Sequence, residues 1–492
     1  MRKWTSDLYK LAYTHLLLLG IPTIFYYCLR LGGFTLISVH LAIATFFLVN
    51  SLIIFVETSV AAFRRAAVRG RFPFPDPFDK FKRTVKGALG VSGRRYPQPR
   101  TPLPRCSVLI AAYLPNEQEI ILETLRHILY KVQRPAAGLE VFLAYNTPID
   151  LPIEEDLRRL SQIHPELKIV RVEGSTSKAE NLNAVLSLVT GEVSCILDAD
   201  HHPAPDCFFR AWRWLEQGYD VVQGRNIIRN HASNLLTQNI AVEFETVYGI
   251  SHVAKSLLTD SSIFGGSNGY WRTATLQKIR FNPAMLTEDI DASMRTLLSG
   301  YRILHDRSII TTELAPESFN AFWFQRKRWA QGWLEVGLRY QRRVWKSTKL
   351  TSWQKIYWTY LLFFCVIYSV IALQILPLML SLLLYQGMLP TSDHPYLWFC
   401  TVLTFSSGIY QTLATMRVAA GRYSILYFVQ HAVMIFAYSI LKNMIAIVGL
   451  YDHLHGLNKW VVTPRDTQKP NPIPDREPAI LAASPAGLGS GK

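Results

Sequence analysis

The sequence predicts an α/β domain, a mostly parallel sheet with helices on both faces, set between transmembrane helices. Three observations predict it. From Cys106 onward, apolar strand-like runs alternate with amphipathic helical stretches over about a hundred residues, the pattern of a helix-covered sheet. Two nearly uncharged runs, Leu11 to Leu29 and Phe34 to Val56, are each long enough to cross a hydrocarbon core of ~30 Å as a helix. A second apolar block follows Ile356.

The alternation reads in order as CSVLIAAY (strand), NEQEIILETLRHILYKV (helix), LEVFLAY (strand), IEEDLRRLSQIH (helix), LKIVRVE (strand), KAENLNAVLSLV (helix) and EVSCILDAD (strand). Then come FFRAWRWLEQG as a helix, DVVQGRNIIRN as a strand and NLLTQNIAVEFETVYGISHVAKSLL as helix, with no internal repeat. In such sheets ligands bind at the carboxyl ends of the strands.

The formal charge of +16 raises the question of nucleic acid. Twelve Lys or Arg fall between Arg64 and Arg105, directly after the second apolar run, where cytoplasmic retention of positive charge puts them. A nucleic-acid partner is therefore not expected; a lipid bilayer is. No small-residue cleavage site follows the first run, so it reads as an uncleaved anchor. The six cysteines are scattered without a zinc or C-x-x-C spacing, which argues against a disulfide framework and for a reducing compartment.

In the C-terminal block, Tyr357 to Tyr385 and Tyr396 to Thr415 read as spans, and the loop QGMLPTSDHP between them, lacking Lys and Arg, is expected outside. Tyr423 to Leu450 contains His431 and Lys442 and reads as interfacial or re-entrant. The chain thus divides into two membrane helices (1–63), a basic Pro-rich linker (64–105), a soluble domain (106–320), interfacial amphipathic helices (321–355), membrane or interfacial helices (356–450), a short further segment (451–467) and a disordered tail (468–492).

Four motifs carry chemistry. Asp198 and Asp200 in ILDADHHP alternate at a strand end, so extended geometry aims both to one side, where they can hold Mg²⁺ or Mn²⁺ against a diphosphate; a solvated turn is the plainer reading. In MLTEDIDASMR, Thr287 caps a helix whose first turn is acidic, and a further acid there suits a general base. In FWFQRKRWAQGW, Arg328 suits a pyrophosphate and Trp329 a sugar face; the same helix would also lie well on anionic lipid. FGGSNGYW, Phe264 to Trp271, is a Gly-rich turn that permits close backbone approach. His201 and His202 read as local structure.

In this order the motifs resemble those of the membrane-embedded family-2 glycosyltransferases, which include cellulose synthases, mannan and glucan synthase-like proteins, hyaluronan and chitin synthases. The pattern is D, D-x-D, T-E-D, Q-x-x-R-W. The resemblance covers roughly Cys106 to Arg465, and implies a GT-A type domain using a nucleotide-sugar donor with Mg²⁺ or Mn²⁺ at Asp198 and Asp200. It implies Asp289 as catalytic base, with Gln325, Arg328 and Trp329 lining the acceptor and diphosphate site. KAENLN resembles the nucleotide-side segment, which brings in Lys178 and Asn181, and WVVTPR resembles the C-terminal gating loop, which brings in Thr463 and Arg465. The family's base-contacting Asp is absent: LEVFLAYNTPID ends in Tyr145 and Asn146, so Asn146 is the expected contact with the base and Asp150 a less well placed substitute.

The implied reaction is an inverting transfer, from a UDP-sugar, to a growing β-linked polysaccharide, with the catalytic domain cytoplasmic at the plasma membrane and the helices passing product outward. Transfer of one sugar to a lipid acceptor is the rival enzymatic reading, and a transporter or export partner the non-enzymatic one. An export partner or a homo-oligomer is a possible assembly, and the absence of a PilZ-like domain argues against cyclic-dinucleotide control.

Overall fold

CSVLIAAY, the first strand (β1, Cys106–Tyr113), is apolar on both sides because it lies mid-sheet. Val108, Ile110 and Ala112 enter one core while Leu109 and Ala111 enter the other, so the sheet is covered on both faces. The structure, a computed structural model, describes residues 2–63, 97–387 and 394–457. Most of the basic linker, residues 388–393 of the expected outer loop, and everything from 458 on, including Thr463, Arg465 and the expected disordered tail, lie outside the described residues.

The remaining strands are β2 (Leu139–Asn146), β3 (Leu167–Arg171), β4 (Val193–Asp198), β5 (His202–Pro203), β6 (Val221–Ile228), β7 (Gly269–Arg272) and β8 (Ile303–Glu313). They form one sheet in the order β3-β2-β1-β4-β7-β6-β8-β5. β3, β2, β1 and β4 are mutually parallel, as are β6 and β8; β7 runs antiparallel between β4 and β6, and β5 antiparallel on β8. The register pairs Ala111 with Asp198 and Tyr113 with Asn146, so Asn146 and Asp198 end at one edge with β1 between them, about 10 Å apart across two strand spacings.

The helix Ile121–Lys131 buries Ile121, Thr124, Leu125, Ile128 and Leu129, the spacing of a single helical face. The opposite core takes Val336, Tyr340 and Val344 from the helix Phe319–Lys346, and Trp358 and Leu362 from Ser352–Leu373. Phe319–Lys346 is therefore a continuous helix of 28 residues that covers the sheet as well as reaching the membrane helices, and the domain edge expected at 320 falls inside that layer.

Among the described residues, four helical segments are long and apolar enough to cross a membrane: Trp4–Leu31, Ile37–Ala62, Ile367–Gln386 and Ile425–Leu454. The last is the segment expected to be interfacial or re-entrant. It is one unbroken helix of 30 residues, about 45 Å long. Its polar residues meet the sheet domain: Lys442 reaches Glu243 (2.9 Å) and His431 Nδ1 lies 3.3 Å from Asn239 Oδ1. The stretch expected as one span from Tyr357 to Tyr385 is divided at Gln374, where Pro377 leaves the Leu373 carbonyl without its helical partner.

Two buried arginines fasten the sheet to the helices Ile37–Phe63 and Pro395–Val418. Arg307 on β8 donates to the carbonyl of Ala61 (3.2 Å) at the end of Ile37–Phe63. Arg225 on β6 pairs with Glu245 and donates to the carbonyl of Val418 (2.9 Å), while Glu245 accepts from the N–H groups of Ala420 (3.0 Å) and Gly421 (2.8 Å).

Candidate active site

A cleft of about 1190 Å³ opens where β1, β2, β4, β6 and β8 end. Nine of the residues singled out in the sequence line it: Asn146, Lys178, Asn181, Asp198, Asp200, Asp289, Gln325, Arg328 and Trp329.

β4 ends at Asp198, and the chain turns at once, with the His201 N–H donating to the Asp198 carbonyl (3.1 Å). The two aspartates thus do not share one extended run, and their environments differ. The Asp198 side chain is 38% exposed and pairs with Lys178. Asp200 is buried: Oδ1 lies 3.0 Å from His201 Nδ1, and Oδ2 accepts from the N–H of Leu314 (3.1 Å). His201 bridges to Glu313, whose Oε2 is 2.9 Å from Nε2. Burial by itself would depress this imidazole; the Asp200 and Glu313 carboxylates outweigh it and raise it to about 10, so it stands as a cation.

Lys178 opens the helix Lys178–Val185, which Ser177 caps by accepting from the Glu180 N–H (3.2 Å). Its ammonium spans the cleft wall from Asp198 to the Gly266 carbonyl (2.7 Å). Burial opposes its charge, but Asp198 and Glu288 leave its pKa raised. Gly266 has φ +87°, and a Cβ there would stand 3.0 Å from Asp289 Oδ2; both facts require glycine. Asp289 in turn accepts from the Ile290 N–H (2.9 Å). Burial, then the neighbouring Glu288, push its carboxyl up to about 7, against the pull of Lys178 and Arg328.

Thr287 does not cap its helix. Its hydroxyl makes no cap hydrogen bond and has no partner among the described residues. Instead its side chain fills a notch at Gly332, where a Cβ would fall 2.3 Å from Thr287 Cγ2. The close packing sets the acidic turn against the helix bearing Gln325, Arg328 and Trp329. Gly332→Ala should force the two apart at a cost of about 1–3 kcal/mol. The expected result is a lower melting temperature and lower kcat with nucleotide-sugar affinity kept; unchanged kcat would show that this spacing does not matter.

The intervening motif residues Arg326 and Lys327 hold that helix from behind. Arg326 pairs with Glu243 (2.6 Å), which also accepts from Lys442 and from the Tyr438 hydroxyl (2.8 Å), and its guanidinium lies 4.4 Å from the Trp329 ring centroid. Lys327 contacts Asp7 (2.6 Å) and Asp452 (2.9 Å), and Lys10 closes the quartet on the same two carboxylates.

Asn146 sits at the cleft wall with both amide functions engaged: Nδ2 donates to the Ser175 carbonyl (2.9 Å) and Oδ1 accepts from Asn181 (2.7 Å). Asp150 is 88% exposed, bound to Arg171 (2.6 Å), and does not line the cleft. Of the further acids, Asp291 is a structural residue, buried against Arg295 and the Tyr340 hydroxyl (both 2.7 Å).

The donor set fits a hard divalent cation. Asp198 presents a partly exposed carboxylate with Asp200 beside it, and Mg²⁺ or Mn²⁺ takes one or two carboxylates and completes its shell with water and phosphate oxygens. Among the described residues no group of three His, Cys, Asp or Glu forms a fuller cage.

The sequence profile of glycosyl transferase family group 2 matches residues 195–448, more than half of the chain. The chain belongs to this family of glycosyltransferases. The profile of glycosyl transferase family 2 matches residues 107–277 as well. The family member is 25% identical to a probable glycosyltransferase, YdaM, of Bacillus subtilis, over 74% of this chain and 88% of that one. It is 26% identical to the poly-beta-1,6-N-acetyl-D-glucosamine synthase of Staphylococcus epidermidis, over 62% and 71%. It is 25% identical to a probable glucomannan 4-beta-mannosyltransferase of Oryza sativa, over 57% of this chain and 48% of that one. The fold is thus the expected GT-A type with membrane-directed helices on either side.

Sequence reasoning passed over several cleft residues of this glycosyltransferase. Glu313 ends β8 as Asp198 ends β4, an acid closing an apolar strand, and that signal was available in IITTELAP. Tyr248, His252 and Lys255 carried no such signal, because their helix reads only as amphipathic until its cleft face is known.

Proposed function

We propose that this glycosyltransferase moves a hexosyl group from a nucleotide sugar, a UDP-sugar in the first instance, to the end of a growing β-linked polysaccharide, with inversion. The observation that carries the reading is a shared cavity: Asp289, raised to about 7, faces the same cleft as the Asp198–Lys178 pair and Arg328, whose Nε is buried without a hydrogen-bond partner among the described residues.

Asp289 accepts the proton of the acceptor hydroxyl as that oxygen bonds to the anomeric carbon and the bond from that carbon to the diphosphate oxygen breaks. Lys178 and Arg328 offset the charge gathering on the departing nucleoside diphosphate. Bound at Asp198 and Asp200, Mg²⁺ or Mn²⁺ would supply further charge neutralisation to that leaving group. Trp329 offers the acceptor sugar an apolar face, with Gln325 one turn earlier. Asn146 and Asn181 line the cleft and are assigned to the base, for which Asn146 must exchange an internal hydrogen bond. Gln331 donates to the carbonyl of Leu457 (3.2 Å), and Thr463 and Arg465, assigned to the nucleotide by the resemblance, lie outside the described residues. The basic stretch after Phe63 supports a cytoplasmic catalytic domain at the plasma membrane, with the helices passing polymer outward.

The test is the protein in nanodiscs given a panel of radiolabelled nucleotide sugars with Mn²⁺. One donor should yield nucleoside diphosphate together with β-linked polymer, EDTA should stop both, and added Mn²⁺ or Mg²⁺ should restore them. A product carrying a single sugar would overturn the polymerase reading, and turnover unaffected by EDTA would overturn the metal assignment.

A further inference from the structure

One helical face leads away from Asp289. Ser251, His252 and Lys255 lie three, four and seven residues after Tyr248, and all four line the cleft. The stripe starts beside the reacting groups: a Cβ on Gly265 would stand 3.0 Å from the Tyr248 hydroxyl, and one on the adjacent Gly266 the same distance from Asp289 Oδ2. It ends about 10 Å further along the helix at Lys255.

Lys255 is only 7% exposed, yet among the described residues no side chain pairs with its ammonium. Several other cations among the described residues have carboxylate partners: Lys178 has Asp198, Lys327 has Asp7 and Asp452, Arg326 has Glu243, and Arg225 has Glu245. The stem is buried and the ammonium faces the cleft, where an anion that enters can pair with it. His252, 8% exposed beside it, has a buried Nδ1 with no hydrogen-bond partner among the described residues. The far end of the stripe also abuts the membrane-directed helices. Trp353 Nε1 and Gln354 Nε2 donate to the Leu258 and Thr259 carbonyls that close the helix (both 2.9 Å), and Leu361 of the same helix lines the cleft.

We propose that Lys255, with Ser251 and His252, is a subsite for an oxyanion, a phosphate or carboxylate, carried by the acceptor at a distance from the hydroxyl that Asp289 deprotonates. The subsite rests on the transferase reading above and adds to it a charge preference: the acceptor is anionic. The donor's diphosphate is assigned to Lys178, Asp198 and Arg328, and Lys255 pairs with none of these.

The test measures binding to the full chain in phosphatidylcholine nanodiscs. One arm compares a polyprenyl phosphate with the matching polyprenol; the other compares a glucuronate-containing tetrasaccharide with its neutral glucose counterpart. One anionic probe should bind about tenfold more tightly than its neutral partner, and the arm that responds names the source of the oxyanion. Lys255→Gln should abolish the preference and Lys255→Arg should keep part of it, while both variants melt as the parent does and bind nucleotide sugar as tightly. The subsite is overturned if neither anionic probe is preferred, or if the preference survives in Lys255→Gln. Failure of the unsubstituted protein to bind any nucleotide sugar would instead count against the transferase reading, since the two bindings are read separately.

Discussion

Asp289→Asn is expected to lower turnover by about 10²–10⁴-fold, the usual worth of a positioned general base, while nucleotide-sugar affinity is retained. The pH dependence gives the same residue a second signature. Its carboxyl, raised to about 7 by burial and Glu288, must be ionised to accept a proton, so kcat/KM of the parent should fall as pH drops below about 7. The stability effect runs the other way. The unfolded chain ionises this group near the ordinary aspartate value, whereas the folded protein holds its proton up to about 7, so its effect on stability is absent at low pH and becomes destabilising as pH rises through that window. Asp289→Asn should therefore match the parent's melting temperature at pH 4 and equal or exceed it at pH 8, while remaining inactive. A variant that is both inactive and less stable at pH 8 would point to a structural role instead.

Glu245→Ala should produce the largest loss of stability. Glu245 is fully buried, pairs with Arg225, and accepts from the N–H groups of Ala420 and Gly421, so its removal leaves a buried guanidinium without its counter-charge and two half-buried donors without their acceptor. Breaking such a pair costs about 3–5 kcal/mol. Thermal unfolding in nanodiscs, followed by tryptophan fluorescence, should show a large drop. The double variant Arg225→Met with Glu245→Leu should recover part of it, because no charge is then left alone in the interior. Only part should return, since the Ala420 and Gly421 donors stay unpaired. Equal melting of the single and double variants would show that the unpaired charge is not what costs stability.

The catalytic half of the fold was legible because its signals are local. Apolar runs such as CSVLIAAY and VSCILD are strand-length and bounded by helical patterns, and Asp198 closes one of them. Ordered motifs then placed Asp289, Arg328 and Trp329 at one cleft, although each alone was weak. What escaped the sequence depends on partners far away in the chain. Asp200 looked like a twin of Asp198 until the turn at Ala199 put it against His201 and Leu314. Thr287 looked like a cap because nothing nearby in sequence shows the notch at Gly332. Lys442 argued against a membrane-length helix, since sequence alone could not supply Glu243, the residue that accepts its charge.

The quartet behind the Q-x-x-R-W helix has a consequence for biosynthesis. Lys10 and Asp452 lie 442 residues apart, yet they share one ion cluster with Asp7 and Lys327. The cluster cannot close until Asp452 has been made, so the sheet and its cleft can form first while the helix carrying Arg328 still lacks its backing.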